Sequence, residues 1–131
     1  VDIPDTCTGH SLLPIVRGEA EGVRDLLHGE HAGCYAYDDG NHFITDGNQK
    51  YIWYSQTGRE HLFNLDEDPH ECRDLALQPD AETRLTPWRR RLINVLNGRP
   101  EAFTDGTSLK AGQPHTALIP GYAPNATYPF L

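Results

Sequence analysis

At 131 residues the chain is long enough for one domain that buries roughly two-thirds of the surface its unfolded form exposes, so a core without disulfide staples is expected. Its 37% hydrophobic and 23% charged residues exclude a disordered chain, and no apolar run approaches the roughly 18 residues of a membrane span. Eleven Lys and Arg against nineteen Asp and Glu give a formal charge of −8, which repels phosphate backbones and excludes a nucleic-acid partner.

In chain order, residues 1–20 read as a connecting arm. Pro4 and Pro14 flank Ser11-Leu12-Leu13 and limit any helix there to a turn or two. Val1-Asp2-Ile3-Pro4-Asp5 has no initiating Met, basic start or apolar core, so it reads as an internal cut and not as a signal peptide; no compartment is indicated. Residues 21–98 form the structured unit. Val23 to Cys34 reads as a strand with Leu26, His28 and Glu30 on one face, a short helix being the lesser alternative. Turn signals at Asp38-Asp39-Gly40 and Asp46-Gly47-Asn48 bracket the β-rich His42-Phe43-Ile44-Thr45, and Lys50–Ser55 and His61–Leu65 flank a Thr57-Gly58 turn. Four strands joined by short connections predict an antiparallel meander with one face covered.

The cover is an amphipathic helix from Asp80 to Leu96, with Ala81, Leu85, Trp88, Leu92 and Leu96 near helical spacing and Asn97-Gly98 as its stop. Pro87 conflicts with it and predicts a kink, or a restart capped by Thr86. Residues 99–131, rich in Pro and Gly, read as a wrapping tail whose Phe103, Leu118, Ile119, Tyr122 and Phe130 lie partly against the domain. The fold class is thus α+β: an antiparallel sheet of about four strands packed on a C-terminal helix, with an extended arm and a Pro/Gly-rich tail.

The words Gly9-His10-Ser11-Leu12-Leu13-Pro14, Lys50-Tyr51-Ile52-Trp53-Tyr54, and Gly58-Arg59-Glu60-His61-Leu62-Phe63-Asn64-Leu65-Asp66-Glu67-Asp68-Pro69-His70-Glu71 resemble the C-terminal part of a sulfatase, an arylsulfatase-like hydrolase of the alkaline-phosphatase-like superfamily. The resemblance covers roughly residues 9–120 and implies a small α+β domain docked in cis on a large α/β catalytic domain. It implies hydrolysis of a sulfate or related phosphate or phosphonate ester there, sulfate esters foremost, with a divalent metal, calcium, and a formylglycine made from Cys or Ser in a C/S-x-P-x-R motif. None of Cys7, Cys34 or Cys72 stands in that motif, and Thr45-Asp46-Gly47-Asn48 reads as a turn and not as a ligand pair, so no catalytic residue, metal ligand or cofactor is expected in this chain. The three cysteines also lack the spacing of a disulfide framework or a zinc knuckle.

The candidate substrate contacts are His28, Glu30 and His31, at an edge that would reach over the parent's pocket, and Lys50, a compact cation suited to an anion. His28 and Glu30 share a strand face while His31 points away, which argues against zinc held by those three. Tyr51, Trp53, Tyr54 and Trp88 read as core before they read as a sugar platform. Arg89-Arg90-Arg91 point in successive directions on a helix, a solvated face, and Asn125-Ala126-Thr127 is a sequon with no role assigned. The alternative function is an autonomous carbohydrate- or metal-binding β module. The apolar arm Ser11–Val16 leads to an expectation of self-association.

Overall fold

The computed structural model describes residues 4–5, 7, 9–31 and 36–114. Cys34, the sequon at Asn125, and Leu118, Ile119, Tyr122 and Phe130 of the tail lie outside them. The elements run α1 (Leu13–Val16), β1 (Leu27–His31), β2 (Asn41–Thr45), β3 (Gln49–Tyr54), β4 (Glu60–Asn64) and α2 (Ala81–Leu96), with 3-10 turns at Tyr37–Asp39 and Leu75–Leu77. The four strands form one antiparallel sheet in the order β1-β2-β3-β4, with β1 and β4 at its edges. The α+β meander read from the residues is therefore the observed architecture.

Register sets which side chains meet the helix. Pairing of Glu30 with His42, His42 with Trp53 and Trp53 with Glu60 puts these residues on one face, together with His28, Ile44, Tyr51 and Leu62. That face carries the core: Ile44, Tyr51, Trp53 and Leu62 are buried with Leu85, Trp88, Leu92 and Leu96 of α2. Tyr51, Trp53 and Trp88 are thus packing residues, and the Trp88 indole donates to Gln49 Oε1 at 3.0 Å.

The turn between β2 and β3 satisfies itself. Asp46 Oδ1 accepts from the Asn48 and Gln49 N–H groups, Thr45 Oγ1 accepts from Gly47 N–H, and Gly47 takes φ +96°, where a side chain would be strained. All of the residues of this apparent metal word are explained by the turn, with Arg91 paired to Asp46 at 3.1 Å.

The restart expected at Pro87 does not occur: α2 is continuous from Ala81 to Leu96. Proline removes the bond that its nitrogen would make to the Thr83 carbonyl, but Thr83, Thr86 and Pro87 all face solvent, where water replaces the lost partner. Thr86 caps nothing; its hydroxyl donates back to the Glu82 carbonyl at 2.8 Å. At the other end Gly98, with φ +78°, stops the helix, and Arg99 N–H closes on the Leu96 carbonyl. Beyond it Phe103 is buried against the core, and Gly112 N–H donates to the Ser55 carbonyl, so the chain folds back along the sheet.

Between β4 and α2 one carboxylate organises the backbone. Asp74 accepts from His61 Nδ1 at 2.6 Å and from the N–H groups of Leu62 and Ala76 at 3.1 and 2.9 Å. Burial alone would raise its pKa, but these three donors outweigh burial and hold the carboxyl below its ordinary value. The depressed folded-state pKa stabilises the fold above the unfolded carboxylate's pKa of roughly 4, and that contribution disappears as pH falls through the folded value. Asp74→Asn is expected to lose about 1–3 kcal/mol at pH 7. Urea unfolding at pH 7, 5 and 3 should show the gap to the parent chain narrowing toward pH 3; an unchanging gap would remove the charge from the account.

Candidate functional site

The residues richest in chemistry collect where β1 and β2 meet the chain leaving α2. His28 and Glu30 lie on the helix-facing side of edge strand β1, and His42 of β2 stands directly opposite Glu30. His28 Nε2 and His42 Nδ1 are 3.2 Å apart, their rings nearly parallel at 12°, and Glu30 Oε2 lies 3.7 Å from the same His42 nitrogen. Phe103 meets the His42 ring edge-on and Trp53 stacks on it, leaving His42 5% exposed.

Burial is the largest influence on both imidazoles. It lowers the pKa of His28, against the opposing pull of Glu30, and together with neighbouring His28 it takes His42 down to about 4. Both rings are neutral at neutral pH, so one of the facing nitrogens donates and the other accepts. Arg99 borders the cluster: its Nη2 is 2.8 Å from Glu30 Oε2 and 2.7 Å from Glu101 Oε1. The Arg99 contact is the chief reason the Glu101 carboxyl is held down at about 2.

The four sequence candidates do not form one site. His31 and Lys50 fall on the opposite face of the sheet from His28 and Glu30, as the strand parity requires. Lys50 is not a free cation: Nζ sits 2.9 and 3.1 Å from the two oxygens of Glu71 and 5.5 Å from the Phe43 ring centre. That ring lies over Gly29, where a Cβ would come within 2.3 Å of it, so the glycine between His28 and Glu30 makes room for an aromatic cover across the strand.

Sequence reasoning along β1 alone missed His42, Arg99 and Glu101. The available signal was strand phase, since His42 shares the period-2 face of Ile44, but its pairing with Glu30 needs the register. A separate groove of about 750 Å³, lined by Trp53, Arg90, Ile93, Asn94 and Thr107 among others, runs between α2 and residues 106–111.

No protein-family model matches the chain. Over 118 residues, 90% of its length, it is 36% identical to an arylsulfatase of Clostridium perfringens (strain 13 / Type A), of which it spans 24%. Nearly the whole chain is thus similar to part of a sulfatase. Two solved structures share its fold: one from Bacteroides thetaiotaomicron VPI-5482 assigned to the sulfatases, with TM-score 0.68 and 22% identity, and a 2-O GAG sulfatase, with TM-score 0.67 and 23% identity. In both, the match covers 85% of this chain and 24% of the other. The chain thus spans about a quarter of the length of each of these relatives.

Proposed function

We propose that the chain serves a sulfuric ester hydrolase as its supporting C-terminal subdomain, packed in cis on a catalytic domain and forming one wall of the pocket that receives the sulfate ester. The observation that carries this reading is the match itself: 90% of this chain aligns with 24% of an arylsulfatase, while the sequence holds no C/S-x-P-x-R motif. In the sulfatases that this chain resembles, the formylglycine and the calcium belong to the catalytic domain. The residues here do not fit either group: no cysteine stands in the motif, and the Asp46-Gly47-Asn48 word is consumed by its turn.

What these residues can supply is positioning. The edge strand β1 ends in His31, exposed and on the sheet face that α2 does not cover, and we assign that face, which carries Lys50 in the Leu27–Thr45 row at its other end, to the pocket wall. Contact with an anionic substrate would come from the imidazole at one end of that face and from the Lys50 ammonium, once Glu71 yields it, at the other. The apolar arm supports the docking half of the reading. Leu12 and Val16 are 61% and 79% exposed, an arrangement that suits burial against a larger neighbour.

The test is hydrolysis of an aryl sulfate by the chain alone and by the chain joined to a sulfatase catalytic domain. The chain alone should be inert and self-associate through its arm in sedimentation, and the joined protein should be active and lose activity when this subdomain is deleted. His31→Ala and Lys50→Ala should raise KM more than they lower kcat. Turnover by the chain alone, or full activity after its deletion, would overturn the proposal. The alternative of an autonomous carbohydrate-binding module draws on the groove beside Arg90, and calorimetric titration with sulfated sugars decides it: tight binding by the chain alone favours that module.

A further inference from the structure

We propose that His28, Glu30 and His42 form a binding site for a divalent transition metal of the zinc class, built on the β1–β2 pair and separate from the metal of sulfatase catalysis. It goes beyond the subdomain reading, because a bound cation is compatible with a docked subdomain and with an autonomous module alike.

The donor set is the first argument. Two borderline imidazole nitrogens with one carboxylate oxygen are a donor set that zinc takes, and one ligand atom from each lies within 4.8 Å of the other two. Zinc bonds to nitrogen at roughly 2.0–2.1 Å in tetrahedral sites, which puts neighbouring ligand atoms about 3.3–3.4 Å apart. The nitrogens of His28 and His42 already stand at 3.2 Å, and Glu30 Oε2 stands at 3.7 Å from His42 Nδ1. Only the carboxylate has to move inward, and the Glu30 side chain is half exposed and able to turn.

The scaffold is the second argument. Residues two apart on one strand share a face, and a residue paired directly across the ladder brings its Cβ within about 5.5 Å, so the sheet presents three donors without a loop having to order. His31 could not join His28 and Glu30 because it leaves the strand on the other side; His42 takes the third position from the neighbouring strand. The buried ring of His42 is held by Trp53 and Phe103. The half-buried His28 and the exposed Glu30 leave a way in for the ion and a fourth position for water.

Arg99 is the competing element, and it makes the inference testable. Its guanidinium holds Glu30 in place of a cation, yet Nε and Nη2 are also bonded to Glu101 at 3.2 and 2.7 Å, so giving up Glu30 does not orphan it. A positive charge next to a metal opposes binding, and its removal has a predicted sign.

The experiment titrates the chelator-stripped 131-residue chain with Zn²⁺ by calorimetry and with Co²⁺ by visible absorption. One ion per chain is expected, with the intense absorption of tetrahedral cobalt and a higher unfolding midpoint in excess Zn²⁺. Because His42 is buried, His28→Gln is the primary ligand variant and should weaken binding at least about 10-fold; His31→Ala should leave it unchanged, and Arg99→Gln should tighten it several-fold. Circular dichroism confirms that each variant is folded. Absence of binding at 100-fold excess, binding insensitive to His28→Gln, or weaker binding in Arg99→Gln would each overturn the site. None of these outcomes bears on whether a longer enzyme hydrolyses esters.

Discussion

Replacing Leu92 with alanine is expected to remove about 2–5 kcal/mol of folding stability. Leu92 is 0% exposed and lies in the middle of the contact between α2 and the sheet, in one cluster with Ile44, Tyr51, Leu62 and Leu96. Deleting its branched end loses the transfer free energy of the buried methyl groups and leaves a cavity that a sheet pinned by three ladders cannot close. Against a total of roughly 5–15 kcal/mol for a domain of this kind, that is a large share. Urea unfolding should show the midpoint lowered by about 1 M or more with little change in slope. Val16→Ala supplies the contrast: that side chain is 79% exposed, and its loss should stay within about 0.5 kcal/mol. A loss below about 1 kcal/mol at Leu92 would mean that the helix does not carry the core.

The face that Leu92 covers was legible because strand phase and helix phase were both written plainly. Ile44, Tyr51, Trp53 and Leu62 alternate with more exposed residues, and Leu85, Trp88, Leu92 and Leu96 recur at helical intervals, so the two apolar surfaces could only meet. Pro87 was misleading because propensity weighs a missing bond without knowing which way it points; on the solvent side of α2 the packing of Trp88 and Leu92 outweighs it. The chemistry was less legible than the fold. Whether His28 and Glu30 meet a third ligand depends on which residue of β2 stands opposite Glu30, and a shift of one position would have placed His42 on the other face. Arg99, Glu101 and Phe103 reach the same corner only because Gly98 turns the chain back at the end of α2, and no periodicity announces that return.

Glu60→Ala is expected to destabilise by about 2 kcal/mol or more, less than the roughly 3–5 kcal/mol of breaking a fully buried pair. The Glu60 carboxylate accepts the Tyr51 hydroxyl at 2.6 Å and both Nε and Nη2 of Arg89 at 2.7 Å, and its side chain is 17% exposed against 30% for Arg89. Arg89 keeps Glu82 at 2.6 Å and some water when Glu60 is gone, which is why the full penalty does not apply. Tyr51 has no such reserve, since its ring is fully buried and its hydroxyl loses its acceptor. A pH readout separates this from lost packing. Burial first, and the adjacent Glu60 carboxylate second, push the Tyr51 hydroxyl upward, so the folded chain keeps a proton that an unfolded tyrosine releases near pH 10. Stability therefore falls as pH rises beyond about 10, and removing Glu60 lowers the folded-state value and makes that fall shallower. Glu60→Ala and Tyr51→Phe together should destabilise by less than the sum of the two alone, because each already breaks the same bond. Strict additivity, with an unchanged alkaline limb, would show that the carboxylate and the hydroxyl are not joined in solution.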